Sequence, residues 1–401
     1  MSEKVIIEES SSYFGPLYPY VCDDEITDID YNGRDLWLTT CKNERYRCRQ
    51  ANITEDFVEE FTRRVSNTVS KPFHKQSPIL EAETDTLRIT IVHESAAISG
   101  RTICIRKSMP FVRLTREGMI EDGYASDEII DLLRSCVLAR LNMVFCGEPG
   151  VGKTECAKFF SQFIPANERV ITIEDNPEWH FSSISPNSDS VELRINPMMD
   201  YTLAIKTCLR LNPKWMMLSE VRSKEAVHLI EGFSTGVRGM TTLHTDDVRK
   251  VPDRIMNMAK ATGDGGRFIN DIYSFIDVAV LIRRKAFCDE GREVIRRYID
   301  QIGFFAREGD ENRIFMAADK GRLLAEDMPS YILDKLKDTG YTPPSLPALK
   351  EVKEIQSLPG SDEDIKQREL KMQKYMEQIG AGFLSACNER GTYIGKTEAL
   401  G

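Results

Sequence analysis

The stretch that decides the fold is Gly147-Glu148-Pro149-Gly150-Val151-Gly152-Lys153-Thr154. It follows a short apolar run at 141–146 and precedes a helical pattern from Glu155 to Ile164. This is a complete G-x-x-x-x-G-K-[ST] loop, whose glycines let successive backbone N–H groups point at phosphate oxygens. The start of the following helix adds partial positive charge at the same place. The pattern therefore predicts a site for a nucleoside triphosphate.

Two side chains of this loop have predicted chemical roles. Lys153 is positioned to reach the β- and γ-phosphates, and the Thr154 hydroxyl is positioned to ligate Mg²⁺. ATP and Mg²⁺ are therefore the expected cofactors. A chance glycine-rich turn is the alternative, but each fixed position is filled and strand and helix patterns flank the loop. The residues expected to bind nucleotide here are Gly147, Gly150, Val151, Gly152, Lys153, Thr154 and Glu155.

Composition limits the possible classes of protein. The chain has 401 residues, enough for two or three domains, and a formal net charge of −10. That charge argues against a strong nucleic-acid footprint, and the basic runs at 250–260 and 283–285 are interpreted as solvated faces. No stretch approaches about 18 apolar residues, and the N-terminus lacks an apolar core. We therefore expect neither a membrane-spanning helix nor a signal peptide.

The ten cysteines are scattered singly, and no C-x-x-C pair occurs. We therefore expect no zinc site of the usual spacing. Several cysteines, such as Cys104, Cys146 and Cys208, fall inside apolar runs. This favours free, buried thiols and a reducing cytoplasm.

Residues 1–107 are predicted to form a small α+β domain. The Asn32-Gly33 pair indicates a tight turn between two alternating runs. Apolar residues at helical spacing follow Thr54, which is a plausible N-cap. The predicted elements are strands at 26–31, 35–39, 87–92 and 102–106 and a helix at 54–69.

Residues 126–330 are predicted to form an α/β domain with a mostly parallel sheet. Its short apolar runs alternate with helical patterns, which is typical of strands buried between two layers of helices. The expected strands are 141–146, 169–174, 215–219, 240–243 and 277–282. Residues 108–125 are interpreted as a hinge linker. Residues 331–401 are interpreted as a Pro-containing spacer and a helical tail, whose apolar face is expected to pack on this protein.

The residues that follow the apolar run Trp215–Leu218 help to decide whether the chain is an AAA+ ATPase. The phosphate loop taken alone resembles that of AAA+ ATPases, in which such a strand ends in Asp-Glu and the Asp holds Mg²⁺. Here the strand ends in Ser219-Glu220. The metal-binding acid must therefore come from elsewhere.

Another predicted strand ends in Glu174-Asp175, on the ligand-binding edge of an open α/β sheet. One of these acids is expected to hold Mg²⁺ through water, and the other to polarise the attacking water with Glu220. We assign Asp175 to the metal and Glu174 to the water. The alternatives are an acidic turn for Glu174-Asp175 and an ion pair with Arg222 for Glu220.

These segments together resemble the secretion ATPase superfamily, the hexameric motors of type II and type IV secretion, of type IV and Tad pili, and of conjugation. The resemblance covers roughly residues 20–315, and its motifs occur in the family's order. They are Glu174-Asp175-Asn176-Pro177-Glu178 for the Asp box, Leu209–Pro213 running into Ser219–Arg222 for the degenerate Walker B, Ser234–Gly236 with Thr241–Thr245 for the histidine box, and Cys104–Lys107 for the N-terminal exit strand.

The resemblance implies a RecA-like, Mg²⁺-dependent ATPase that forms a homo-hexamer. It implies a cytoplasmic protein peripherally associated with the membrane, working on an inner-membrane secretion or pilus platform. His244 would sense the γ-phosphate and join Glu220, Glu174 and Arg222 as a catalytic residue. Phosphate-binding arginines would come from the N-terminal domain, with Arg88 and Arg106 as candidates. For Arg101 we expect a surface salt bridge.

The chain departs from the family pattern at three positions and lacks one module. Ser219 replaces Gly, Val237 replaces the first histidine of the histidine box, and Glu155 stands where Thr is common. The four-cysteine zinc module is missing, which favours the compact conjugation or Tad-type branch. Two other functions stay open: an AAA+-like remodelling ATPase and a non-hydrolysing scaffold gated by nucleotide.

Overall fold

The computed structural model describes residues 7–223, 225–259, 265–289, 292–324 and 328–342. These residues form two compact units. The smaller unit comprises residues 7–107 with 288–289 and 292–294, and the larger unit comprises the described residues of 108–287 and 295–342. Each unit has its own hydrophobic core.

The smaller unit is built from a six-stranded antiparallel sheet and three helices. Its strands are β1 Ile26–Tyr31, β2 Leu36–Thr40, β3 Arg45–Cys48, β4 Ile79–Glu83, β5 Leu87–Val92 and β6 Thr102–Lys107, and its helices are α1 Ser11–Phe14, α2 Tyr18–Cys22 and α3 Glu55–Val69. The strand order is β3-β2-β1-β6-β5-β4. The β1–β2 hairpin, β5, β6 and α3 confirm the sequence predictions. Strands β3 and β4 were missed because they are only four and five residues long and contain few large apolar residues.

Helix α3 begins and ends where local chemistry dictates. The Thr54 hydroxyl accepts a hydrogen bond from the Phe57 backbone N–H at 3.2 Å, which confirms the predicted N-cap. The helix ends at Ser70, whose φ of +52° lies in the left-handed region. Phe61 and Val65 point from its buried face into the core. Cys104 was predicted to be buried, but it lies on the exposed face of β6 because neighbouring strand residues alternate between faces.

The larger unit contains a nine-stranded sheet with helices on both faces. Its strands are β7 Met143–Cys146, β8 Val170–Glu174, β9 Ser190–Arg194, β10 Trp215–Leu218, β11 Arg238–Leu243, β12 Val278–Asp289, β13 Arg292–Glu308, β14 Glu311–Asp319 and β15 Arg322–Leu323. Their order is β15-β14-β13-β12-β7-β11-β10-β8-β9. The strands from β12 to β9 pair in parallel, and β13, β14 and β15 pair antiparallel.

The five predicted strands of this unit correspond to β7, β8, β10, β11 and β12. Its helices are α4 Arg116–Glu121, α5 Asp127–Leu138, α6 Lys153–Ser161, α7 Phe181–Ile184, α8 Tyr201–Arg210, α9 Glu225–Ser234, α10 Val251–Ala259, α11 Gly265–Phe275 and α12 Ser330–Asp338. Strand β7 is buried on both faces: Phe145 packs into the core beneath α5 and α6, and Val144 packs into the core beneath α8 to α11. The sequence missed β9 and β13 to β15, where charged residues interrupt the apolar runs.

Two segments predicted to lie outside the domains contribute to the core of the larger unit. Residues 108–125, interpreted as a linker, contain α4, and Met119 and Tyr124 are buried. Helix α12, placed in the predicted spacer, buries Ile332 and Leu336 in the same core. The predicted tail helix at 365–383 lies outside the described residues. No helix in the described part of the chain is long and apolar enough to cross a membrane.

A buried carboxyl group fastens the start of β7 to the residue before β12. The Asp277 side chain is 5% exposed and accepts a hydrogen bond from the Asn142 backbone N–H at 2.7 Å. Burial raises the pKa of Asp277 above its usual value. An unfolded aspartate ionises near pH 4, at about 3.9. The stability gained from protonated Asp277 is therefore present below about pH 4 and is lost as the pH rises through the folded pKa.

We expect Asp277→Asn to remove this pH dependence. The amide oxygen of asparagine keeps the acceptor for Asn142 and never ionises. Relative to wild type, the free energy of unfolding of the variant should rise as the pH increases from 4 to 8. Urea denaturation across this range measures it. Asp334→Asn on α12 is the exposed control, and an equal gain in both variants would contradict the prediction.

Candidate active site

The phosphate loop joins the end of β7 to the start of α6, and the helix begins at Lys153, two residues before its predicted start. Gly147 has φ +149°, and a Cβ there would collide with the backbone oxygen of Ile282 on β12. Gly150 and Gly152 have φ of +75° and +87°, in the region that disfavours a side chain. Backbone geometry therefore requires each of the three glycines.

The Lys153 ammonium lies inside the loop with three hydrogen-bond partners. Its Nζ is 3.3 Å from the Gly147 oxygen, 3.0 Å from the Glu148 oxygen and 3.0 Å from Nδ1 of His244. Burial lowers the pKa of Lys153, and the nearby Glu220 carboxylate acts in the opposite direction. The ammonium group is thus surrounded by neutral hydrogen-bond acceptors inside the phosphate loop.

His244 connects this lysine to the predicted catalytic carboxylate. Its Nε2 lies 2.8 Å from Oε1 of Glu220, on the side of the ring opposite Lys153. When Nε2–H donates to Glu220, Nδ1 of the neutral ring accepts from Lys153. The Gly147 oxygen, 3.2 Å from Nδ1, then accepts from Lys153 and not from the ring. The ring therefore passes a hydrogen bond from the phosphate loop to Glu220.

The same chain of contacts continues to the acidic segment. Arg222 donates from Nε to Glu220 Oε2 at 2.8 Å and from Nη1 to Asp175 Oδ2 at 3.1 Å. The ion pair of Glu220 with Arg222, considered from sequence as an alternative to catalysis, is thus present. We call the row Lys153–His244–Glu220–Arg222–Asp175 the polar chain. All of its members were predicted as site residues.

Strand order explains why residues so far apart in sequence meet. Strands β7, β11, β10 and β8 are neighbours and parallel, so their carboxyl ends share one edge of the sheet. The phosphate loop follows β7, His244 follows β11, Glu220 follows β10 by two residues, and Asp175 follows β8. The polar chain therefore crosses these four strand ends in spatial order.

Glu174 shapes the acidic segment from inside the molecule. Its side chain is 5% exposed, and its Oε1 accepts hydrogen bonds from the backbone N–H groups of Glu178 and Trp179, at 3.1 and 3.0 Å. Burial raises the pKa of Glu174 to about 8. These contacts turn residues 175–179 back toward the sheet edge. The water-polarising role assigned to Glu174 stays a prediction.

Glu178 is the acid that contacts Thr154. The Thr154 hydroxyl donates to Glu178 Oε2 at 2.8 Å. Glu178 belongs to the acidic segment recognised in the sequence, but its role was missed because the turn stabilised by Glu174 is a tertiary feature. Its spacing of four residues from Glu174 was the available signal.

The oxygen donors at Thr154 fit a magnesium site. Mg²⁺ in nucleotide sites is held by one or two protein oxygens together with phosphate oxygens and water. The Thr154 hydroxyl and the adjacent Glu178 carboxylate supply that set, whereas Asp175 contacts Arg222. Within the described ranges, no cluster of three or more His, Cys, Asp or Glu side chains could hold a metal by itself.

Glu155, which replaces the Thr expected from the sequence comparison above, pairs with a lysine of the same helix. Lys158 is fully buried, and its Nζ lies 3.4 Å from Glu155 Oε1 and 2.7 Å from the Met109 oxygen. The lysine therefore compensates part of the negative charge that Glu155 places beside the phosphate loop.

The predicted phosphate-binding arginines lie in the smaller unit. Arg88 on β5 and Arg106 on β6 are register partners, so both are on the same face of the sheet. The three arginines of this unit considered in the sequence analysis each pair with an acid: Arg88 with Glu81, Arg101 with Glu94, and Arg106 with Asp28. The salt bridge expected for Arg101 is confirmed, with both carboxylate oxygens engaged at 2.8 and 2.9 Å.

Comparison with known proteins assigns this arrangement to a family. The family model described as "Type II/IV secretion system protein" matches residues 81–323. An uncharacterized protein of Bacillus anthracis is 30% identical over 293 residues, which cover 71% of this chain and 66% of that protein. The type IV secretion system protein VirB11 of Brucella suis is 27% identical over 325 residues, which cover 71% of this chain and 88% of VirB11.

The fold is also similar to that of a solved structure. The ATPase DotB of Yersinia pseudotuberculosis matches with a TM-score of 0.55 at 15% identity, covering 74% of this chain and 80% of that one. At this identity the similarity concerns the fold.

The loop geometry predicts a difference between two glycine substitutions. Gly147→Ala forces a backbone shift at Ile282, whereas a Cβ at Gly150 meets no atom within 4 Å and adds only the strain of a positive φ. We expect Gly150→Ala to cost about 1 kcal/mol of unfolding free energy and Gly147→Ala roughly 3 kcal/mol or more. Urea denaturation of both variants measures this. Equal costs would show that the contact with β12 does not constrain the loop.

Proposed function

We propose that this chain, which belongs to the family of type II/IV secretion system proteins, hydrolyses ATP to drive a secretion, conjugation or pilus machine. The observation that carries the proposal is the polar chain, which runs from the phosphate-loop lysine across three strand ends that hold acids and a histidine. A phosphate loop alone supports binding, whereas aligned polar groups beside the γ-phosphate position support hydrolysis.

The proposed roles follow from the contacts. The loop N–H groups and Lys153 bind the β- and γ-phosphates. Thr154 and Glu178 would hold Mg²⁺, which would supply positive charge to the phosphate groups. Glu174 keeps Glu178 in place through its two backbone hydrogen bonds. We therefore propose Glu178 as a ligand of the metal. Asp175 contacts Arg222 and lies on the same side of the site.

Glu220 is proposed to orient the attacking water and accept its proton. The water oxygen bonds to the γ-phosphorus as the bond from that phosphorus to the β,γ-bridging oxygen breaks, and ADP and phosphate result. The γ-phosphate is a stronger acceptor for Lys153 than the neutral His244 ring, because it is an anion. Nucleotide binding would therefore release His244 from Lys153 and change its hydrogen bond with Glu220. His244 would sense the γ-phosphate in this way.

The proposed working assembly is a homo-hexameric ring with RecA-like larger units. We place it at the cytoplasmic face of the membrane, peripherally bound, acting on a membrane platform of a secretion or pilus machine. The family match and the VirB11 relative support this placement. Arg88 or Arg106 is proposed to contact phosphate. Residues 108–115, the part of the predicted linker before α4, would serve as the hinge.

Glu220→Gln tests the proposed hydrolysis. The amide keeps the size of the side chain and can accept a hydrogen bond from either His244 or Arg222, but it cannot accept the proton of water. We expect steady ATP turnover to fall by at least 100-fold with ATP affinity changed less than threefold. A phosphate-release assay and a nucleotide-binding titration measure the two effects. Glu231→Gln, which changes an exposed acid on α9, is the matched control.

The same assay separates the alternative functions. ATP binding without turnover in the wild-type chain would favour a non-hydrolysing scaffold. A remodelling ATPase would be favoured if single-stranded DNA accelerated ATP turnover and if the affinity for that DNA fell steeply as the salt concentration rose.

Glu178→Gln tests the assignment of the metal site. Glutamine keeps a hydrogen-bond acceptor for Thr154 but removes the negative charge. We expect the Mg²⁺ concentration that gives half-maximal ATP turnover to rise at least tenfold. Titration of turnover with Mg²⁺ measures it, with Glu192→Gln as an acid-removal control. An unchanged midpoint would remove Glu178 from the metal site.

A further inference from the structure

An arginine of β12 fastens the residues that follow His244 to the sheet. Arg283 donates from Nη2 to the backbone oxygen of Asp246 at 2.7 Å. Its Nε lies 2.6 Å from Oδ2 of Asp300 on β13. The basic run 283–285 was interpreted from sequence as a solvated face. The guanidinium of Arg283 instead bridges a carboxylate and a main-chain oxygen two residues beyond His244.

The carboxylate of Asp300 fixes where this guanidinium lies. The Asp300 side chain is 8% exposed, whereas that of Arg283 is 44% exposed. A carboxylate removed from water needs a compensating cation, so the ion pair is costly to break from one side. A planar guanidinium presents its N–H groups in fixed directions. Once Nε is bound to Asp300, the Nη2 donor is therefore held at a set position toward Asp246.

The same stretch of main chain is held at a second point by Gln301 of β13. Its Oε1 accepts a hydrogen bond from the Val248 backbone N–H at 3.2 Å, and its Nε2 donates to Oδ1 of Asp319 at 3.0 Å. Val248 is fully buried in the core beneath α8 to α11. The main chain beyond His244 is thus constrained at Asp246 and again at Val248, and the second constraint does not depend on the arginine.

The preceding side of His244 is fixed by β11, whose last residue Leu243 is in register with Cys146 of β7. His244 therefore lies on a short span of main chain between the end of β11 and Asp246. Its ring contacts the lysine and the carboxylate of the polar chain at 3.0 and 2.8 Å. A displacement of Asp246 would move this span and change both contacts.

We infer that Arg283, held by Asp300, is a positioning residue that sets the His244 ring for recognition of the γ-phosphate. This inference rests on the proposed function, in which His244 loses Lys153 as a partner when nucleotide binds. Hydrogen bonds weaken steeply as their distance and angle depart from the preferred values. The ring can therefore exchange partners efficiently only from a fixed main chain, which the bridge supplies.

The double variant Arg283→Gln/Asp300→Asn tests the inference, because it removes the ion pair without leaving a buried charge unpaired. Affinities for ADP and for a non-hydrolysable ATP analogue, both with Mg²⁺, are measured by calorimetry on the full chain. Only the analogue carries a γ-phosphate. We expect its affinity to fall about tenfold, the effect of one lost hydrogen bond to an anion, and the affinity for ADP to change less than about twofold. ATP turnover should also fall.

Combination with His244→Ala distinguishes positioning from a general structural role. His244→Ala alone should lower the affinity for the analogue relative to ADP by a similar factor. When the double variant is added to it, the ratio of the two affinities should not change further, because both changes remove the same interaction. A general loosening of the fold would weaken both ligands or act independently of His244.

Arg169→Gln/Asp189→Asn is the matched control. Arg169 also donates from Nε to a carboxylate, that of Asp189 at 2.8 Å, and from Nη1 to a main-chain oxygen, that of Leu211 at 3.0 Å. It precedes β8 and so lies at the opposite end of the parallel strands. This control should leave both affinities unchanged.

Three outcomes would overturn the positioning role and leave the proposed function in place: equal losses for ADP and the analogue, an unchanged affinity for the analogue, or effects that multiply with those of His244→Ala. A ratio that His244→Ala leaves unchanged would overturn the inference together with the sensing role proposed for His244. Wild-type protein that binds ATP without turnover would overturn the proposed hydrolysis, and the ratio of affinities would still decide the role of Arg283.

Discussion

The parallel pairing of β7 with β11 on one side and β12 on the other is the constraint on which the rest of the larger unit depends. Strand β7 is four residues long and buried on both faces, so it is held by its neighbours and by two layers of helices. Position 147 requires glycine because the backbone of β12 lies so close that a Cβ atom would collide with it. The phosphate loop is therefore shaped as much by β12 as by its own glycines.

This arrangement gives the site two chemically different sides. Toward β8, the strand ends present carboxylates, a histidine and an arginine in one hydrogen-bonded row, which suits charge that develops during hydrolysis. Toward β13, the Arg297 guanidinium donates a hydrogen bond to the Gly150 backbone oxygen from outside the loop.

Sequence reasoning recovered the members of the polar chain but not all of their partners. Each member follows an apolar run or lies in a recognisable motif, so sequence signals exist for Lys153, Glu220 and His244. Glu178 lies in a recognised segment, but its contact with Thr154 depends on how a loop turns. Arg297 has no sequence signal, because its position depends on how β13 passes the phosphate loop. Cys104 was predicted to be buried because it lies in an apolar run, but the run does not reveal which face of β6 the residue occupies.

The sequence by itself determined the nucleotide loop, the α/β class of the larger unit, most of its parallel strands and the family. These features follow from the local spacing of apolar residues and from glycine, which can adopt a positive φ because it has no Cβ atom. Only the tertiary structure decided that Glu178 meets Thr154, that Glu174 acts on backbone N–H groups, and that segments 108–125 and 330–338 contribute to the core of the larger unit. Those outcomes depend on packing between residues distant in sequence, which no local pattern records.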